Sequence, residues 1–397
     1  MKVKTNRLFF IDAMRAWAIL MMLQGHFIDG LLDPIFRNPE SPIYTIWLYF
    51  RGITAPVFFT VSGFIFTYLL LKSPQQGPFN PRIRKGVKRG LQLLLIGYAL
   101  RLNIFGLFQG QVYNGFYLVD VLHCIGLSIL TIIGLYKLTL KRKNLFPVLL
   151  VSITLFLFLF EPVYKQWSFT FLPDLIANYV TKANGSVFTI IPWLGYTTLG
   201  GALSMLFIRF RDYRHLYTTA ILSALALGFG LIYYSSPLFM QLFEMTQVAL
   251  FQMVYSNNYL FIRLGDVFVV FAIFMLIRKF LTNGTLLRIG SNTLSIYVIH
   301  FIILYGSFTG LGLYKFFHHE LIPSTAIWGA VLFMIACTYL ALLYDRHEMK
   351  LKEKFRALLR YLKVQLYLSI RKTAPTFKDQ WAKVRLLLLR LFASVKN

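Results

Sequence analysis

Basic residues crowd every second gap between the long apolar runs of this chain, and that alternation restricts the fold more than any other feature. Lys2, Lys4 and Arg7 precede the first run, and Lys72, Arg82, Arg84, Lys85, Lys88 and Arg89 lie between the second and third. Lys137, Lys141, Arg142 and Lys143 separate the fourth from the fifth. Arg209, Arg211 and Arg214 follow the sixth, and Arg278, Lys279 and Arg288 follow the eighth. The other gaps share only Arg37, Arg51, Arg101, Lys165, Lys182, Arg263 and Lys315. Loops rich in Lys and Arg stay on the cytoplasmic side of a membrane, so the pattern places both termini there. It predicts ten spans, near 8–28, 51–71, 89–108, 117–136, 145–161, 188–208, 216–235, 260–280, 289–311 and 324–344. Most of these runs approach the roughly 20 residues that cross a hydrocarbon core as a helix.

The predicted class is therefore an all-α integral membrane protein of about ten transmembrane helices. Its membrane domain fills 1–345, and a cytoplasmic basic amphipathic helical tail fills 346–397. A hydrophobic content of 57% and a mean hydropathy of +0.62 exclude an ordinary soluble domain. Asp12 and Arg15 lie inside the first run, which lacks a small-residue cleavage site, so it reads as a retained span rather than a secretory signal. The formal net charge of +26 suggests a nucleic-acid partner, yet the topology absorbs most of it and no recognisable binding module accompanies it. No nucleic acid is expected. The tail carries fourteen Lys or Arg against Glu348, Glu353 and Asp379, with apolar residues interleaved as in WAKVRLLLLRLF at 381–392, and Pro375 divides it in two. Helices lying on anionic membrane lipid suit that pattern, and so does a solvated helical extension. Cys124 and Cys337 both fall within predicted spans without partner spacing, so neither a disulfide nor a metal site is expected.

Ionisable residues inside hydrocarbon are costly and mark candidate sites. The first run holds Arg15 and His26, eleven residues apart. At about 100° and 1.5 Å per residue the two share one helix face, roughly 16 Å apart along the axis. Asp12, Met22 and Asp29 fall near the same stripe. The predicted topology puts Arg15 in the cytoplasmic half and His26 near the outer end. Asp120 and His123, one turn apart, fall near the outer end of the fourth span, and His300 in the middle to outer half of the ninth. Asp29 and Trp193 belong to the outer, acceptor side, where the 162–187 segment either covers a site or simply connects two spans.

A histidine beside a carboxylate can accept a proton from a hydroxyl or amine and deliver one to a leaving group, which is what acyl transfer needs. His26, Asp120, His123 and His300 are the catalytic candidates, with His26 as base or as the acylated nucleophile. His123 and His300 equally suit structural hydrogen bonds between helices. In NPRIRKGVKRG, Arg82, Arg84, Lys85, Lys88 and Arg89 suit the phosphates of a coenzyme A thioester, although a cytoplasmic loop collects such charges in any case. Arg15 either faces the donor or pairs with Asp12 and reaches toward the interface.

With these residues in view, the chain resembles the multi-span acyltransferase superfamily, which includes the acyltransferase 3 family and the heparan-α-glucosaminide N-acetyltransferase-like proteins. IDAMRAWAI followed by His26 is similar to their Ile/Leu-Asp-x-x-Arg-Gly-x-Ala opening, with Ala16 in place of the usual glycine. TAPVFFTVSGFIF at 54–66 is similar to their aromatic span ending in Ser-Gly-Phe. DVLHCIGLSIL at 120–130, PWLGYTTLGGAL at 192–203 and IGSNTLSIYVIHFIIL at 289–304 look closest to the glucosaminide branch. In order, the matches cover 7–305. The resemblance implies transfer of an acyl group, most simply acetyl, from cytoplasmic acetyl-CoA to an extracytoplasmic sugar, glycan or glycolipid across a bacterial inner membrane. It implies Arg15 and His26 as the essential pair and no metal. The family's Arg-x-x-Arg before the third span is replaced here by Arg82-Ile-Arg84-Lys85 and Lys85-Gly-Val-Lys88. A proton-coupled transporter or lipid flippase is the alternative class, since buried His and Asp also build proton relays.

Overall fold

Eleven main helices carry the fold in the computed structural model, which describes residues 8–394. Lys2, Lys4, Arg7 and Lys396 lie outside them. The helices are α1 (Phe9–Leu31), α2 (Pro42–Leu71), α3 (Pro81–Arg101), α4 (Val121–Leu138), α5 (Leu145–Leu159) and α6 (Ile190–Arg209). They continue with α7 (Leu216–Thr246), α8 (Tyr259–Leu276), α9 (Gly284–Ser291), α10 (Thr293–Tyr305) and α11 (Pro323–Ser394). Among the described residues there is no strand, only an isolated bridge between Leu32 and Leu321. Each of the ten sequence-predicted segments falls on one of these helices or on the pair α9–α10. Among the described residues, six helices are long and apolar enough to cross a membrane, and α9 with α10 makes a seventh if that pair, bent by 71°, counts as one span. The remainder are set apart by composition and length. Asp12, Arg15 and Asp29 interrupt α1, five basic residues open α3, and α5 has only 15 residues.

Local chemistry sets several helix starts. Pro81 begins α3, where its missing N–H costs nothing, and the Asn80 side chain accepts from the Arg82 N–H. Asp120 caps α4 by accepting from the Leu122 N–H, while His123 Nδ1 turns back to the Asp120 N–H. The Asn283 side chain accepts from Thr285 N–H and Leu286 N–H, so α9 starts cleanly after a polar turn.

The chain divides into two units, Met1–Ala341 and Leu342–Asn397. In the first, α2 packs along α6, α7 along α8, α3 along α4, and α1 lies against α2, α9 and α10. The α2–α6 seam is very tight. A Cβ placed on Gly63 would land on the Thr197 carbonyl oxygen, and one on Gly200 would land on the Thr60 carbonyl. Close approach of this kind is how helices gain van der Waals packing where lipid removes the hydrophobic incentive to associate. The second unit is helical and leaves Met349, Phe355, Tyr361 and Tyr367 exposed beside its basic residues. The helix runs on through Pro375, where a break is predicted. Proline removes one backbone donor and crowds one carbonyl, and here the helix continues despite that cost. The 381–392 pattern lies outside the described side chains.

Candidate active site around His26

α1 delivers His26 to the wall of a cavity of about 340 Å³. Gly25, Asp29, Arg51, Phe58, Phe59, Lys182, Trp193 and Tyr259 line the same space, together with Val121 at the start of α4. His26 Nδ1 lies 3.1 Å from the Tyr305 hydroxyl, on the last residue of α10. The His300 ring lies 5.5 Å from the His26 ring, centre to centre, and His300 is 1% exposed. Tyr297 packs edge-on against His300 at 4.8 Å. His26 and His300, far apart in sequence, are thus brought side by side. Among the described residues, the Tyr305 hydroxyl is the hydrogen-bond partner of His26 Nδ1.

Asp120 and His123 form a second group. The Asp120 carboxylate accepts from Arg101 Nε at 3.1 Å and lies 3.1 Å from His123 Nδ1. Arg101 also donates to the Gly115 carbonyl, and His123 packs against Tyr98, ring centres 4.4 Å apart. His123 Nε2 is buried with no partner among the described residues. This group meets the His26 cavity through Val121, the residue between Asp120 and Leu122.

Arg15 Nη2 donates to Thr293 Oγ1 at 3.0 Å, and Arg15 Nη1 lies 3.8 Å from Asp12. Thr293 is the first residue of α10, so Arg15 ties one end of that helix to α1 while His26 and Tyr305 meet at its other end. Asp29 pairs with Arg51 of α2, and its backbone carbonyl accepts from Arg37. Trp193 is 6% exposed and packs against Phe59 and Phe188 with tilted rings, their centres 5.2 and 4.9 Å away. Its indole N–H finds no acceptor among the described residues.

The five cations predicted for the donor divide between two faces of α3. At 100° per residue, Arg84 and Lys88 lie within about 40° of each other, opposite the buried Gly86, Gly90 and Leu93. With Lys137 they line an open groove of about 850 Å³ beside exposed Leu91 and Leu95. Arg82, Lys85 and Arg89 fall on the flank nearer the bundle.

Three features are absent from the sequence reading as site residues. Tyr305 reads as one more aromatic in an apolar run. Arg51 reads as a loop cation, although α2 begins well before it at Pro42. Asp266, 4% exposed in α8, accepts from the Tyr49 hydroxyl at 2.5 Å and from Arg263 at 3.0 Å. The Arg263 guanidinium also sits over the Tyr49 ring, 4.6 Å from its centre. An acid inside an apolar run was the available signal for Asp266.

Among the described residues no group of three or more His, Cys, Asp or Glu is arranged to hold a metal ion. No curated protein matches this chain closely enough to be informative. The model of one family, described as an acyltransferase domain, matches residues 8–346, which takes in every helix described from α1 to the first part of α11. The chain belongs to the acyltransferase 3 family and is a membrane acyltransferase.

Proposed function

We propose that the protein moves an acetyl group from cytoplasmic acetyl-CoA to a hydroxyl or amine of an extracytoplasmic sugar, glycan or glycolipid. The observation that carries this reading is His26 on the wall of a cavity of about 340 Å³ with Nδ1 held by Tyr305. With its Nδ1–H donated to the Tyr305 oxygen, His26 presents the Nε2 lone pair to an acceptor. That nitrogen takes the proton as the acceptor oxygen or nitrogen attacks the thioester carbonyl. The carbon–sulfur bond breaks, and the proton passes to the thiolate to give free CoA. His300 packs against the His26 ring and helps to orient it. Asp120 and His123 fix the start of α4, and with it Val121, without touching the acceptor.

In this arrangement ten spans run with both termini cytoplasmic, as in a bacterial inner membrane, and the His26 cavity opens outward past Trp193 and Asp29. The donor enters from the other side. Arg82, Lys85 and Arg89 receive its phosphates by charge-assisted hydrogen bonds, and Arg15 guides the pantetheine arm along α1, so that the thioester end reaches His26. The basic tail rests on anionic cytoplasmic lipid.

Acetyl-CoA binding to the full chain in nanodiscs tests the reading. Saturable binding that weakens in Arg15→Ala is expected, with acceptor-dependent CoA release that is lost in His26→Ala. Folded wild-type protein that binds neither acetyl-CoA nor longer acyl-CoAs removes the proposal. Proton-coupled flux without CoA release identifies a transporter instead.

A further inference from the structure

We infer that the His26 cavity takes an acidic sugar, one bearing a carboxylate or phosphate, as its acyl acceptor. This rests on the transferase reading above and specifies the ligand class for its acceptor side. Besides His26, three charged side chains line the space: Asp29, Arg51 and Lys182. Asp29 and Arg51 neutralise one another as an ion pair. Lys182 then remains as the surplus charge. It makes no ion pair among the described residues, and the nearby Glu161 is engaged by Lys165 at 3.3 Å. Partial desolvation, then repulsion from Lys165, push the Lys182 ammonium below its ordinary pKa, against the smaller opposing pull of Glu161. An anion placed beside it relieves both costs.

The hydrogen-bonding inventory points the same way. Lys182 and Arg51 are donors, and the single carboxylate in the wall is already committed to Arg51. A cavity with spare donors and few spare acceptors selects a ligand rich in acceptor oxygens. Phe58, Phe59, Phe188 and Tyr259 supply apolar walls for the carbon–hydrogen faces of a pyranose. At about 340 Å³ the space is near the small end of ligand sites, which run from about 300 to 1,000 Å³, and so admits one substituted sugar rather than a long glycan.

The test compares octyl glucuronide with octyl glucoside, which share a tail and a ring and differ in charge. Binding of each to the full chain in nanodiscs is read by ligand-observed NMR. Wild type is expected to bind the glucuronide about 10-fold more tightly, a difference on the scale of one charge-assisted contact. Lys182→Ala brings the ratio to about 1 and Lys182→Arg retains it, because the charge and not the ammonium is what counts. Free glucuronic acid displaces octyl glucuronide if the acidic ring is recognised; failure to displace overturns the assignment. Equal binding of the two amphiphiles by wild type, or a preference that survives Lys182→Ala, also overturns it. Acetyl-CoA binding on the same samples separates the two readings. Its absence with the glucuronide preference intact removes the donor reading alone, and its presence with no preference removes this inference alone.

Discussion

The Tyr305 hydroxyl lies 3.1 Å from Nδ1 of His26, joining the last residue of α10 to the C-terminal part of α1. That contact sets the orientation of the ring and the nitrogen it presents. Tyr305→Phe removes the oxygen while keeping the ring packing against Phe301 and Tyr314. We expect kcat to fall roughly 10-fold, less than the 10²–10⁴ that a general base itself contributes, with KM for acetyl-CoA little changed. Steady-state CoA release measures both constants. An unchanged kcat means that Tyr305 does not position the base.

The Tyr49–Asp266–Arg263 group joins α2 to α8. Asp266→Asn leaves the half-buried Arg263 without its counter-charge, and losing one partner of a fully buried pair typically costs about 3–5 kcal/mol, which sets the upper bound here. The variant is expected to lose its folded peak in detergent at a temperature well below wild type. Replacing Asp266 and Arg263 together with apolar residues is expected to recover much of that loss. Thermal unfolding followed by size-exclusion chromatography checks this, and a single variant as stable as wild type refutes it.

Gly200→Leu introduces a side chain where the Thr60 carbonyl already lies. Overpacking commonly costs about 1–3 kcal/mol, and here the obstacle is backbone, so a value at or above the top of that range is expected. Reduced yield of folded protein at the growth temperature is the readout. Gly230→Leu, at a glycine where an added Cβ meets nothing, serves as the tolerated control.

Selectivity for an acidic ligand is expected to decline with rising pH, earlier than an ordinary lysine would allow. The Lys182 pKa is lowered, so on raising the pH its charge is lost before that of a fully solvated lysine. The groups acting on it from the surrounding elements are Lys165, which lowers its pKa further, and Glu161, which raises it. Asp29, Arg51 and His26 share the cavity wall. Binding of octyl glucuronide, titrated upward from pH 7, is expected to weaken in wild type and to stay flatter in Lys182→Arg, whose guanidinium keeps its proton throughout. Parallel profiles for the two proteins remove Lys182 as the source of the effect.

How far the sequence revealed this arrangement depends on how each residue contrasts with its neighbours. Arg15, His26 and His300 stand out because an ionisable group among leucines and isoleucines is rare. Asp266 satisfies the same criterion and was legible, but its partners Tyr49 and Arg263 lie more than two hundred residues apart in sequence. Only the α2–α8 contact reveals the network. Tyr305 carries no contrast: a tyrosine ending an apolar run is ordinary at a membrane interface. The cations at 82–89 read as one cluster along the chain, and they separate into two faces once Pro81 fixes where the helical period begins.

The seam between α2 and α6 also bears on how such a protein acquires a different acceptor. α2 carries Arg51, Phe58 and Phe59, α6 carries Trp193, and the facing carbonyls at Gly63 and Gly200 leave these two walls no freedom to shift. α1, α4 and α8 add His26, Val121 and Tyr259, while Lys182, Val187 and Phe188 come from the connection before α6. Reactivity and recognition are thereby assigned to separate stretches of polypeptide, one rigid and one exchangeable. On the proposed reading, grafting a different connection onto the unaltered bundle redirects the enzyme to a new acceptor while the chemistry at His26 stays as it is.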